Sequence, residues 1–168
     1  MRDGSKEERM TASTATPTTT RSVGTVLEPV HDHWAGQVRF FLDPATDLRA
    51  GFSDRWGAVR FLGDQFAERF QLEGALVDEL RPWLAPESGA RLSAARADVE
   101  RTAGALMAIG GRRGVAMLTA GLVQRLLAEL GRWWGQLESA TAHLDQEELP
   151  PRARRLLRQL QAETVFLK

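Results

Sequence analysis

The sequence predicts an all-α fold, an antiparallel helical bundle of about five helices, three of them long, behind a disordered N-terminal tail. Two observations carry this. Past Val26, apolar residues recur at steps of three and four along nearly the whole chain, which is the period of one helical face. No segment sustains the alternation of a half-buried strand between turn residues. A third observation sets the helix count: breakers stand far apart, at Pro44, Pro82, Pro86, Gly110-Gly111 and Pro150-Pro151, and so cut the chain into helix-sized pieces.

With 168 residues, the chain is expected to form a single domain over 26–168, preceded by a tail over 1–25. The tail has almost nothing to bury, and its centre, TASTATPTTT, is Thr-rich and of low complexity, so disorder is the expectation there. A body of roughly 140 residues can bury about two-thirds of its unfolded surface and fold unaided.

The first helix is expected to be short. Trp34, Val38, Phe41 and Leu42 share a face, with Asp32 placed to cap it and Asp43-Pro44 to end it. Ser53 reads as the cap of a second helix whose apolar positions include Trp56, Val59, Leu62, Phe66, Phe70, Val77 and Leu80, with Pro82 as its stop. Continuous from Ser53 to Arg81, it would be roughly 43 Å long at about 1.5 Å per residue; a break near Gly74 is the alternative.

Pro86-Glu87-Ser88 reads as a turn and cap leading into a third helix. Its stripe of Leu92, Ala95, Val99, Ala103, Leu106 and Ile109 comes close to a coiled-coil seam. Gly111 to Gly114 forms a hairpin loop, after which Val115, Leu118, Leu122, Leu126, Leu130, Trp133, Leu137, Thr141 and Leu144 continue the pattern in a fourth helix. Helices joined by so tight a loop pack antiparallel. Gly104, Ala108, Ala116 and Ala120 near the loop allow close approach. Pro151 opens a closing helix with Ala153, Leu156, Leu157, Leu160 and Thr164 inward and Arg154, Arg155 and Arg158 on its polar side.

Composition removes several kinds of chemistry. There is no cysteine and no tyrosine, hence no disulfide, thiolate metal site, thiol nucleophile or phenolic acid. Lys+Arg and Asp+Glu balance at 22 each, which argues against whole-molecule attraction to nucleic acid or anionic lipid. The N-terminus lacks an apolar signal core, and no uncharged apolar run approaches the roughly 20 residues that span a bilayer. A cytoplasmic, soluble protein is expected.

Catalytic and metal chemistry would lean on His31, His33 and His143. His31 and His33 stand two apart, so they do not share a helical face, and nothing in the spacing brings His143 to them. A di-iron bundle needs two Glu-x-x-His pairs, and the chain offers one such spacing, at Glu28-Pro29-Val30-His31. Asp78-Glu79, Asp98 with Glu100, and Glu147-Glu148 lie off the apolar stripes and read as solvated faces. No catalytic residue, metal or cofactor is expected, and the chain is poorly equipped as an enzyme.

Recognition residues are better represented. Arg112, Arg113 and Gly114 precede a helix N-terminus and could hold an anion. Arg154, Arg155 and Arg158 form a basic patch; Pro150 to Lys168 carries a net +4 and Gly135 to Leu149 a net −4, so the two runs can neutralise each other. Trp133 and Trp134, about 100° apart on a helix, cannot both follow one face, which places one of them at an edge where aromatic residues anchor contacts. The expected function is a non-catalytic bundle acting through protein–protein contacts, as an adaptor, assembly factor or regulatory subunit, with self-association allowed. The alternative is a small-molecule or cofactor pocket between helices; nucleic-acid binding through the closing helix comes after both.

Overall fold

The computed structural model describes residues 21–42, 55–109 and 116–163, with side chains over 21–39, 64–108 and 121–162. Within them the chain is an antiparallel bundle of α-helices: α1 (Val23–Leu42), α2 (Arg55–Leu80), α3 (Pro86–Ile109), α4 (Ala116–Thr141) and α5 (Pro151–Glu163), with a 3-10 turn at Arg81–Trp83 after α2. Among the described residues no helix is long and apolar enough to cross a membrane.

α1 starts well before the expected cap at Asp32. Ser22 caps it: its Oγ accepts from the Thr25 N–H at 3.3 Å and its carbonyl accepts from the Val26 N–H at 3.1 Å. Val23, Gly24 and Thr25 therefore belong to the helix and not to the tail. Val23, Val26, Leu27, Val30, Trp34 and Val38 form one buried stripe. Pro29 sits inside the helix and removes one helical donor, but Thr25, Glu28, Pro29 and Asp32 all face outward, where water can satisfy the freed carbonyl.

α2 runs unbroken through Gly74. A helical glycine costs about 1 kcal/mol relative to alanine, yet a side chain here would collide with the Arg96 guanidinium arriving from α3. Pro82 ends the helix in the 3-10 turn. The expected cap Ser53 and the hairpin at Gly110 to Gly114 lie outside the described residues, as does Thr164; the side chains of Phe41, Leu42, Trp56, Val59 and Leu62 lie outside the described ones.

α3 and α4 lie along each other for most of their length, α1 packs on α4, and α2 packs on α5. Trp133, Leu27, Leu76, Leu80, Leu92, Leu130, Leu137 and Leu160 are all but inaccessible at the centre. The α1–α4 approach is close because Gly24 has no side chain: a Cβ there would run into the Glu138 carbonyl and lie 3.2 Å from the Ala142 Cα. Backbone bonds lock the same end of the bundle, from Val23 N–H to the Leu144 carbonyl (2.8 Å) and from Gln146 N–H to the Arg21 carbonyl (3.3 Å). α2 and α3 touch at few positions, and a groove opens between them.

Candidate functional site

Two adjoining features concentrate the polar and apolar chemistry of the bundle: a charged hub in the core and the groove beside it. The hub is built on α2. Arg69 and Glu73, one turn apart, fall in phase with the apolar positions Phe66, Phe70, Leu76 and Leu80, and each is only 1% exposed. Glu73 Oε1 accepts from Arg69 Nε at 3.2 Å, while Oε2 accepts from Trp133 Nε1 at 2.7 Å and Trp134 Nε1 at 3.2 Å. The Arg69 guanidinium stands over the Trp34 ring at 4.7 Å.

His31 extends the hub to α1 and to the surface. Its Nδ1 lies 2.5 Å from Glu138 Oε1, and its Nε2 lies 3.7 Å from Glu73 Oε1. The imidazole stacks on Trp134 with 5.4 Å between centroids and 14° between planes. Burying charge is costly unless pairing and further hydrogen bonds compensate. Here one guanidinium and two indole N–H groups satisfy the Glu73 carboxylate, which ties α1, α2 and α4 in one register.

The hub is closed to substrate. His31, Arg69, Glu73, Trp133 and Trp134 are all buried, and Glu138 alone among the hub's ionisable groups is partly exposed. The two His31 nitrogens face opposite carboxylates, so they do not converge on one ion. Among the described residues no group of three His, Asp or Glu side chains is placed to hold a metal.

The expected aromatic surface needs correction. Trp133 and Trp134 are both buried, because Glu73 accepts from both indoles although their side chains leave α4 in different directions. They offer no contact surface in this fold. The histidines keep separate company: His33 is half-buried, and His143 is exposed with Nε2 3.4 Å from the Trp83 carbonyl. The expected neutralisation between the acidic turn and the closing helix takes another form. Asp145 Oδ1 accepts from the Glu147 N–H, whereas Arg152 pairs with Glu79 of α2 at 3.1 Å. Arg155 and Arg158 are exposed, Arg154 is half-buried, and Arg158 Nε donates to the Arg154 carbonyl. Arg112, Arg113 and Gly114 lie outside the described residues.

The groove lies between α2 and α3, open to solvent along one side, with a volume of about 350 Å³. Phe66 and Phe70 wall it from α2; Val99, Ala103, Leu106 and Met107 wall it from α3; Val38, Leu126 and Leu130 form the floor. The two phenylalanine rings stack at 5.5 Å, and Phe70 rests on Trp133 of the hub at 5.4 Å with the planes tilted by 58°. Polar groups are confined to a few positions, Asp64, Gln71, Arg96 and Glu100. An apolar chamber with few polar groups, at the lower end of the range of about 300–1,000 Å³, is the form of small-molecule sites between helices. Compared with protein-family models, curated proteins and solved structures, the chain matches none.

Proposed function

We propose that the protein is a non-catalytic helical bundle that acts by binding, with the groove between α2 and α3 as its binding element and a small apolar molecule as its occupant. The observation that carries this reading is the apolar groove of about 350 Å³ lined by two aromatic rings and aliphatic side chains. No general acid or base of the hub is among the groove-lining residues, and His31, Arg69 and Glu73 are buried.

Gly104 supplies the test. It lines the groove, and a Cβ added there would meet nothing within 4 Å. Gly104→Leu places a bulky side chain at the groove lining, where no atom within 4 Å opposes the new Cβ. Wild-type protein is expected to enhance the emission of 1-anilinonaphthalene-8-sulfonate, and Gly104→Leu to remove most of that enhancement at an unchanged circular dichroism spectrum. Equal enhancement by both proteins would sink the reading.

The second reading, contact with a protein partner, keeps one specific observation. Trp83 and Met107 are large apolar side chains that stay exposed, at 48% and 43%, and exposed tryptophan is enriched where proteins meet. Trp83→Ala tests it: an adaptor that docks through this ring loses its partner while the bundle stays folded.

A further inference from the structure

We propose that the occupant of the groove is a small apolar cation, a protonated alkyl- or arylalkylamine, whose ammonium group sits at the rim beside Asp64. The inference rests on the groove being a binding site and goes further by assigning the occupant's charge and the end that faces water.

The groove sorts its chemistry by depth. Its walls and floor are apolar, from Phe66 and Phe70 down to Val38, Leu126 and Leu130. Its rim is formed where each helix turns outward: Asp64, Ala67 and Gln71 recur at i, i+3 and i+7 on α2, and Glu100, Gly104 and Met107 at i, i+4 and i+7 on α3. All six line the groove and are exposed. The rim therefore carries two carboxylates, one from each helix, and no cation.

Arg96, the third ionisable side chain of the lining, is already committed. Its Nε donates to Glu100 at 2.9 Å, and its Nη1 stands 4.0 Å from Asp78. The guanidinium also lies against α2 at Gly74, where a Cβ would come within 2.6 Å of Cζ. Its charge is thus shared between Glu100 and Asp78. Asp64, in contrast, has no ion pair or hydrogen bond among the described residues, and the lining as a whole holds one negative charge in excess.

A cation with an apolar body suits this order. The hydrocarbon leaves water against the aliphatic and aromatic walls, while the ammonium stays hydrated at the rim next to Asp64. The faces of Phe66 and Phe70 attract positive charge and repel negative charge. A carboxylate on the same body would meet Asp64 and Glu100 instead.

The test uses three probes of equal chain length, octylammonium, octanol and octanoate, titrated into the full chain below micelle-forming concentrations and followed by NMR. Octylammonium is expected to bind tightest and octanoate weakest, with added salt narrowing the gap. Asp64→Asn should weaken octylammonium about threefold, and Asp64→Asn with Glu100→Gln about tenfold, with octanol unchanged. The sulfonate dye, which binds against the rim charge, should brighten with Asp64→Asn. Gly104→Leu should weaken all three probes, and Ala67→Leu, at an exposed rim position, serves as a second block should Gly104→Leu not fold. If no probe binds, or if neither block weakens binding, the groove reading fails and the cation assignment with it. If the blocks weaken binding but octanoate binds as tightly as octylammonium, or octylammonium is indifferent to Asp64→Asn, the groove stands and the cation assignment is overturned.

Discussion

Trp133 and Trp134 donate their indole N–H groups to one and the same oxygen, Oε2 of Glu73, at 2.7 and 3.2 Å. Adjacent positions on a helix diverge by about 100°, yet a single buried acceptor on α2 gathers both side chains. The pair thereby fixes both the rotation of α4 and the height of α2 against it.

Removing that acceptor should be severe. Glu73→Leu removes one ion-pair partner of the buried Arg69 and the acceptor of two indoles, for a loss of about 3–5 kcal/mol in urea unfolding. Combining it with Arg69→Met removes the buried cation as well and should recover part of the loss. A loss below about 1 kcal/mol for Glu73→Leu alone would contradict the role of the hub.

Two glycines should respond in opposite directions to the same substitution. Gly24→Ala drives a methyl group into the α4 backbone and is expected to cost about 1–3 kcal/mol. Gly104→Ala meets open space and should be neutral or stabilising by about 0.5–1 kcal/mol. Thermal melts of the two variants, read side by side, check this.

The start of α1 can be located by capping. Ser22→Ala should cost about 1 kcal/mol, because it removes the acceptor of the Thr25 N–H. Asp32→Ala, at an exposed position inside the helix, should change stability by less than about 0.5 kcal/mol. The reverse order would place the cap at Asp32.

α5 separates packing from charge within a few residues. Arg155→Ala and Arg158→Ala, both at exposed positions, should stay within about 0.5 kcal/mol of wild type. Leu157→Ala, buried against the core, should cost about 2–5 kcal/mol. Denaturant midpoints of the three variants decide it.

Helix positions were legible in the sequence because three-and-four periodicity and well-spaced breakers act locally; Pro86, Pro82 and Pro151 bound their elements as their chemistry requires. The start of α1 was not. Pro29 reads as a breaker, and only its place on the solvent side of the helix explains why it is tolerated. The hub was missed for a related reason. Glu73 beside Gly74 looks like an interruption of the stripe, whereas Arg69 and Glu73 occupy core positions by phase. Their spacing of four was the available signal, but the partners that make burial tolerable, Trp133, Trp134 and His31, are distant in sequence. The groove depends on two helices diverging, a relationship that no single helix encodes.

The pairing of α1 with α4 also has a temporal side. Of the described helices α1 is made first during synthesis, but the surfaces that cover it, from Leu130 to Leu144, are made about a hundred residues later. Until then its buried stripe of Val23, Leu27, Val30 and Trp34 has no finished counterpart, and the bonds from Val23 to Leu144 and from Gln146 to Arg21 cannot close. The earliest made of the described helices is thus among the last of them to dock, and through that interval its apolar face is a part of the nascent chain that a chaperone would meet.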